Sequence, residues 1–136
     1  MTSQIIYTGA LRTEATHLQS GSTIQTDAPT DNQGKGERFS PTDLLATALG
    51  ACMVTTMGIK AQTMPLALDG TRVEVTKVMV ADPRRIGKII VTLHLPASIG
   101  ASEEQKMILE RVARACPVER SLHPDLVLEL SFNWAG

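Results

Sequence analysis

The stretch that decides the fold runs from Ser40 to Thr63 and reads SPTDLLATALGACMVTTMGIKAQT. It opens as a helix, because Ser40 can cap free backbone N–H groups, Pro41 suits the first helical position and Asp43 places an acid in the first turn. Apolar side chains then surround most of the axis, and no charge occurs between Asp43 and Lys60. Because a helix that is apolar all round is a buried one, we expect a core helix of a soluble protein.

Composition limits the possible class of protein. A chain of 136 residues, 43% of them hydrophobic, can bury the core of one domain, which we expect to span residues 1–136. The net charge of −1 gives no electrostatic reason to bind nucleic acid. The first residues lack the basic and apolar regions of a secretory signal, so we expect a cytoplasmic protein that does not associate with membranes. In that reducing compartment the two cysteines would be free thiols.

The rest of the chain predicts strands on both sides of the helix and a second helix. Five segments have the composition or the alternation of strands: 4–11, 22–27, 71–80, 88–95 and 126–134. Ser102 and Gln105 form a capping box that begins the second helix, which we expect to end at Cys116 and Pro117. The order ββ, α, ββ, α, β predicts an α+β fold, in which antiparallel hairpins and their sheet pack on the long central helix.

A single small chain has too little bulky side-chain volume to enclose a helix that is apolar all round. Only four side chains are aromatic: one Trp, one Tyr and two Phe. A two-fold contact between identical chains would cover the remaining side of the helix. We therefore expect a homodimer.

Few residues are candidates for chemistry, and the two thiols are the strongest of them. Cys52 lies in the middle of the central helix and Cys116 lies far downstream, so they do not form a CxxC pair. The three histidines show no metal-ligand spacing relative to them, and no nucleotide or cofactor fingerprint is present. The alternative interpretation is that each cysteine is a small buried hydrophobe.

Two motifs resemble those of a known family. Ser40-Pro41-Thr42-Asp43-Leu44-Leu45 leading to Ala51-Cys52, followed by Ala115-Cys116-Pro117-Val118, is similar to the paired motifs of the OsmC/Ohr family of thiol-dependent peroxidases. The resemblance implies an intertwined homodimer that reduces organic hydroperoxides or hydrogen peroxide at interface sites. It makes Cys52 the peroxidatic thiol and Cys116 the resolving one. It implies no cofactor beyond an external reductant, such as a lipoyl or other dithiol protein.

The same resemblance implies that an arginine, held by a glutamate, activates the peroxidatic thiol. The candidates here are Arg12, predicted on the first strand, and Arg38, just before the central helix. The family glutamate falls on Thr42, which cannot hold an arginine by charge. Glu37 or Glu14 could take its place.

We favour Arg12, because a strand fixes a side chain better than the Gly-rich loop that carries Arg38. Glu14, on the same strand face, is then predicted to orient Arg12. The alternative function is an OsmC-like module that binds a small molecule or senses redox state without catalysis.

Overall fold

The computed structural model describes residues 1–135. The chain divides into two compact units, Met1–Leu45 and the part from Ala46 onward, and the boundary falls inside the long helix. The sequence predicted a single domain, and that statement stays a prediction.

The α+β class and the order of the main elements are confirmed. The strands are β1 (Ser3–Gly9), β2 (Arg12–His17), β3 (Thr23–Asp27), β4 (Arg72–Val80), β5 (Arg85–Leu95) and β6 (Val127–Trp134). The helices are α1 (Pro41–Ala61), α2 (Glu103–Ala113) and α3 (Pro117–Arg120).

The first unit contains an antiparallel sheet of three strands in the order β1, β2, β3. The sequence predicted two strands here, which was wrong because a tight turn at Ala10 and Leu11 was not recognised. Both residues have positive φ values, 55° and 62°, a conformation that usually selects Gly, Asn or Asp. The turn ends β1 at Gly9 and makes Arg12 the first residue of β2 rather than part of the first strand.

The second unit contains a mixed sheet in the order β4, β5, β6. The predicted β4–β5 hairpin is antiparallel, whereas β6 pairs with β5 in parallel. The sequence predicted an antiparallel sheet, and the difference has a topological cause. Between β5 and β6 the chain passes through α2 and α3, and such a helical crossover brings a strand back in the same direction.

The core of the second unit lies between one face of this sheet and the helices. Every second residue of β5 points into it, with Ile89, Val91 and Leu93 fully buried. The residues of α1 and α2 that are fully buried in this core are Leu49, Met53, Met57, Leu109 and Ala113. The first three recur at the spacing of one helix face, so α1 has one buried stripe.

The opposite side of α1 is exposed in the single chain, and its burial by a second chain stays a prediction. Ala48, Ala51 and Thr55 are exposed, and Ile59 is 65% exposed. By length and composition α1 could cross a membrane, although a core helix of a soluble protein has the same properties. Leu49, Met53 and Met57 of α1 are buried in the hydrophobic core, as expected for a core helix.

Candidate functional site

Cys52 is carried on the middle of α1, at the edge of its buried stripe. The side chain is half-buried and packs against the core of the second unit. Its neighbour Met53 is fully buried, whereas Ala51 is exposed, so Cys52 lies between the core and the open side of the helix. A thiol in this position combines an apolar surrounding with access from outside.

Cys116 is fully buried and caps the short helix α3. Its Sγ accepts a hydrogen bond from the backbone N–H of Glu119 at 3.4 Å. The sequence placed Cys116 at the end of the second helix, and this was wrong. The helix α2 ends at Ala113, and Pro117 begins a new helix because proline fits the first helical position.

The fold brings the two thiols together, although they are far apart in the sequence. The Cys52 thiol is close enough to Cys116 to affect the pKa of the Cys116 thiol. Burial raises the pKa of Cys116 above its usual value, and the Cys52 thiol adds to the rise, while the backbone N–H groups of Glu119 and Val118 act in the opposite direction. Cys116 is therefore held as a neutral thiol at neutral pH, next to a second sulfur.

In the first unit, Arg12 is held by two carboxylates. Its Nε donates to Asp27 Oδ1 at 2.6 Å and its Nη2 donates to Asp27 Oδ2 at 2.8 Å, which is a bidentate pair. Nη2 also donates to Glu37 Oε1 at 3.2 Å. The hydrogen bond to Asp27 is the main reason why the pKa of Arg12 is raised. The same bond lowers the pKa of Asp27, so that Asp27 is charged at neutral pH.

The predicted role of Glu14 as the acid that orients Arg12 is not what the structure shows. Glu14 is exposed, and within residues 1–135 its side chain makes no ion pair with Arg12. Asp27 lies directly opposite Arg12 on the neighbouring strand. Side chains that face each other across two strands are closer together than side chains two positions apart on one strand, such as those of Arg12 and Glu14. Sequence reasoning did not single out Asp27, because only the unrecognised β2–β3 register makes it a neighbour of Arg12.

Arg38, the other candidate arginine, has weaker partners. Its Nε donates to Gln25 Oε1 at 3.0 Å and its Nη1 donates to the backbone oxygen of Glu37 at 3.0 Å. It lies at the exposed surface and makes no salt bridge with a carboxylate in the described part of the chain. Arg12 is thus the more firmly oriented of the two cations, and its role as the arginine that activates Cys52 stays a prediction.

The start of α1 has the predicted cap. The hydroxyl of Ser40 accepts from the backbone N–H of Asp43 at 3.0 Å, and the Asp43 carboxylate accepts from the backbone N–H of Ser40 at 2.9 Å. The hydroxyl of Thr42 lies 3.2 Å from that of Ser40. Asp43 is therefore occupied as a cap, and Thr42 takes part in a hydroxyl pair.

Residues 1–135 contain no group of three or more His, Cys, Asp or Glu side chains that could hold a metal ion. Comparison with protein families matches residues 34–131 to the model of OsmC-like proteins. The chain belongs to the OsmC-like family. The matched region contains both cysteines and the whole of α1, so it covers the motifs that suggested the resemblance.

Solved structures resemble this OsmC-like chain over nearly its whole length. A Psychrobacter arcticus protein, provisionally named an osmotic stress induced and detoxification response protein, is 48% identical with a TM-score of 0.93, covering 98% of this chain and 96% of that one. An organic hydroperoxide resistance protein from Legionella pneumophila is 19% identical with a TM-score of 0.71, covering 98% and 97%. One from Elizabethkingia anophelis is 14% identical with a TM-score of 0.75, covering 99% and 97%. The comparison with curated proteins gave no match.

Proposed function

We propose that this OsmC-like chain is a thiol-dependent peroxidase that reduces organic hydroperoxides or hydrogen peroxide. The observation that carries the proposal is the pair of free thiols, one half-buried and one fully buried, that lie close enough for Cys52 to affect the pKa of Cys116. Two relatives of the same fold are named organic hydroperoxide resistance proteins, which agrees with this chemistry.

The proposed reaction begins at Cys52. Its thiolate attacks the terminal oxygen of the hydroperoxide, the O–O bond breaks, and the alcohol, or water from hydrogen peroxide, leaves after taking up a proton. Cys52 is thereby oxidised to a sulfenic acid. The sulfur of Cys116 then displaces the hydroxyl group as water and forms a disulfide with Cys52. An external dithiol restores both thiols and is itself oxidised to a disulfide.

Arg12 is the proposed activating cation. The thiolate is the reactive form of cysteine, and a nearby cation favours it over the neutral thiol. In the proposed site Arg12 would also polarise the peroxide oxygen that receives the sulfur's electrons. Arg12 is fixed by Asp27 and Glu37, so little conformational freedom would be lost on reaching the transition state.

The proposed assembly is a homodimer. In the first unit, Ile5, Tyr7 and Ile24 share one sheet face and are each more than half exposed. In the second unit, α1 exposes Ile59. Apolar surfaces of this kind on each unit are typical of a chain that is covered by a partner.

Steady-state consumption of cumene hydroperoxide with a dithiol as the only reductant tests the proposed function. We expect turnover by the native chain, faster with dihydrolipoamide than with a monothiol at equal thiol concentration, because a dithiol closes its own disulfide. Cys52→Ser should abolish turnover. If the native chain binds the hydroperoxide but consumes none, the non-catalytic alternative is correct.

A further inference from the structure

The position of Asp27 is fixed by the backbone on both sides. Asp27 is the last residue of β3 and lies directly opposite Arg12, the first residue of β2. The backbone N–H of Asp27 donates to the oxygen of Phe39 at 3.1 Å, and that of Ala28 donates to the oxygen of Leu11 at 3.0 Å. These bonds attach the end of β3 to the segment before α1 and to the β1–β2 turn.

The carboxylate of Asp27 is buried, and both of its oxygens accept hydrogen bonds. The residue is 1% exposed, and besides the two bonds from Arg12 its Oδ2 accepts from the backbone N–H of Glu37 at 3.2 Å. A buried carboxylate with these partners has one orientation, because leaving any of them unpaired costs desolvation free energy. Asp27 is therefore a rigid support.

This support holds the guanidinium by one edge only. Asp27 and Glu37 occupy Nε and Nη2 of Arg12, and within the described chain Nη1 has no hydrogen-bond partner. The Arg12 side chain remains 25% exposed. A guanidinium is planar, so fixing the Nε–Nη2 edge also fixes the direction of the two N–H groups on Nη1.

We propose that Asp27 is a positioning residue for Arg12, supplied by strand β3 in place of the glutamate that the family resemblance expects at Thr42. It holds the guanidinium so that the Nη1 donors stay available to an anionic sulfur or a peroxide oxygen. This inference rests on the proposed function, in which Arg12 acts on Cys52. Glu37, which is 59% exposed, adds a second and weaker hold.

The sign of one effect separates positioning from simple charge. Removing the negative charge of Asp27 leaves Arg12 less neutralised, which by charge alone would favour a nearby thiolate. In the proposed site, loss of positioning would have the opposite effect, because a mobile guanidinium would spend less time beside the sulfur. If Asp27 acts only through its charge, its removal should shift the pH profile of Cys52 reactivity downward. If Asp27 positions Arg12, its removal should shift that profile upward.

The experiment measures the rate of iodoacetamide alkylation against pH in the Cys116→Ser background, where Cys52 is the remaining thiol. The midpoint of this profile is the pH at which the rate is half of its maximum. We expect Asp27→Asn to move the midpoint upward by about one pH unit or more, in the same direction as Arg12→Met. The double variant Arg12→Met/Asp27→Asn should move it no further than Arg12→Met alone. The matched control is Glu129→Gln, which removes an ion-paired strand carboxylate bonded to Lys88 at 3.1 Å, and it should leave the midpoint in place.

Three outcomes would overturn the proposal. A downward shift in Asp27→Asn would make Asp27 a counter-charge that weakens Arg12. If Arg12→Met shifts the midpoint but Asp27→Asn does not, Asp27 has only a structural role. An unchanged midpoint in both would mean that Arg12 does not act on Cys52.

A second variant covers the case in which Asp27→Asn does not fold. Arg12→Lys keeps the charge beside buried Asp27 but cannot make the bidentate pair. We expect it to shift the midpoint upward, and native behaviour would contradict positioning. Hydroperoxide turnover is measured separately. If the native chain shows no turnover, the proposed function is wrong, whereas the alkylation profiles still test the role of Asp27.

Discussion

The two cysteines differ in burial, and we expect them to differ in reactivity for that reason. Cys116 is fully buried, and burial raises its pKa despite the N–H groups that point at its sulfur. A thiol with a raised pKa reacts more slowly with a peroxide than an ordinary cysteine, which agrees with the second role of Cys116 in the proposed reaction.

The choice between the two arginines follows from their partners. Arg12→Met should raise the midpoint of Cys52 alkylation against pH by about one to three units, the range for loss of one close opposite charge. Arg38→Met should shift it much less, since Arg38 is bonded only to an amide and a backbone oxygen. Both variants are compared in the Cys116→Ser background. A shift in Arg38→Met alone would assign the cation to the loop before α1.

The ion pair of Asp27 predicts a loss of stability in acid. The pKa of Asp27 is lower in the folded chain than its unfolded value near 3.9, chiefly through the bond from Arg12. Its contribution to stability is therefore present above that unfolded value and is lost as pH falls through the folded one. Urea unfolding between about pH 2 and pH 6 should show a steeper decline below about pH 4 for the native chain than for Asp27→Asn. Parallel curves would contradict the assigned pair.

Helix α1 and strand β4 approach closely at a glycine. A Cβ added to Gly50 would lie 2.7 Å from Val75 Cγ2 and 3.1 Å from Val73 Cγ1. Valine side chains have little rotational freedom to move away. Gly50→Ala should therefore lower the free energy of unfolding by about 1–3 kcal/mol, although alanine is the better helix former.

Gly58, on the same helix, is the matched control for this substitution. A Cβ there would meet nothing within 4 Å, so Gly58→Ala should be neutral or stabilising by up to about 1 kcal/mol. Denaturant unfolding measures both. If both substitutions change the free energy of unfolding equally, the close approach at Gly50 is not the cause of the change.

Elements with a strong local signal could be predicted from the sequence. The Ser40 cap fixed the start of α1, and the alternation of Leu128, Leu130 and Phe132 identified β6. The turn at Ala10 and Leu11 could not be predicted, because neither residue favours a positive φ.

The parallel direction of β6 and the pairing of Arg12 with Asp27 also escaped prediction. Each depends on strand register or on the path of the chain, which no local pattern encodes. The two cysteines were found from motifs, while the carboxylate that holds the arginine needed the structure.

For the whole molecule we predict a dimer in solution. Ile5, Tyr7 and Ile24 form an exposed apolar face on the first sheet, and α1 exposes Ile59. Sedimentation at micromolar concentration should show a dimer, and Ile24→Lys should weaken it at least tenfold, because a charge in an apolar contact is costly. Thr23→Lys, on the opposite face of the same strand, should have little effect. A monodisperse native monomer would contradict the proposed assembly.

The central claim is that Cys52 is oxidised first and Cys116 resolves it, and one measurement tests this directly. Each of the native chain, Cys52→Ser and Cys116→Ser is mixed with one equivalent of cumene hydroperoxide and analysed by mass spectrometry with a sulfenic acid trap. We predict an intrachain Cys52–Cys116 disulfide in the native chain, a trapped sulfenic acid on Cys52 in Cys116→Ser, and no rapid oxidation in Cys52→Ser. Rapid oxidation of Cys116 in Cys52→Ser, or a native chain that keeps both thiols, would contradict the account.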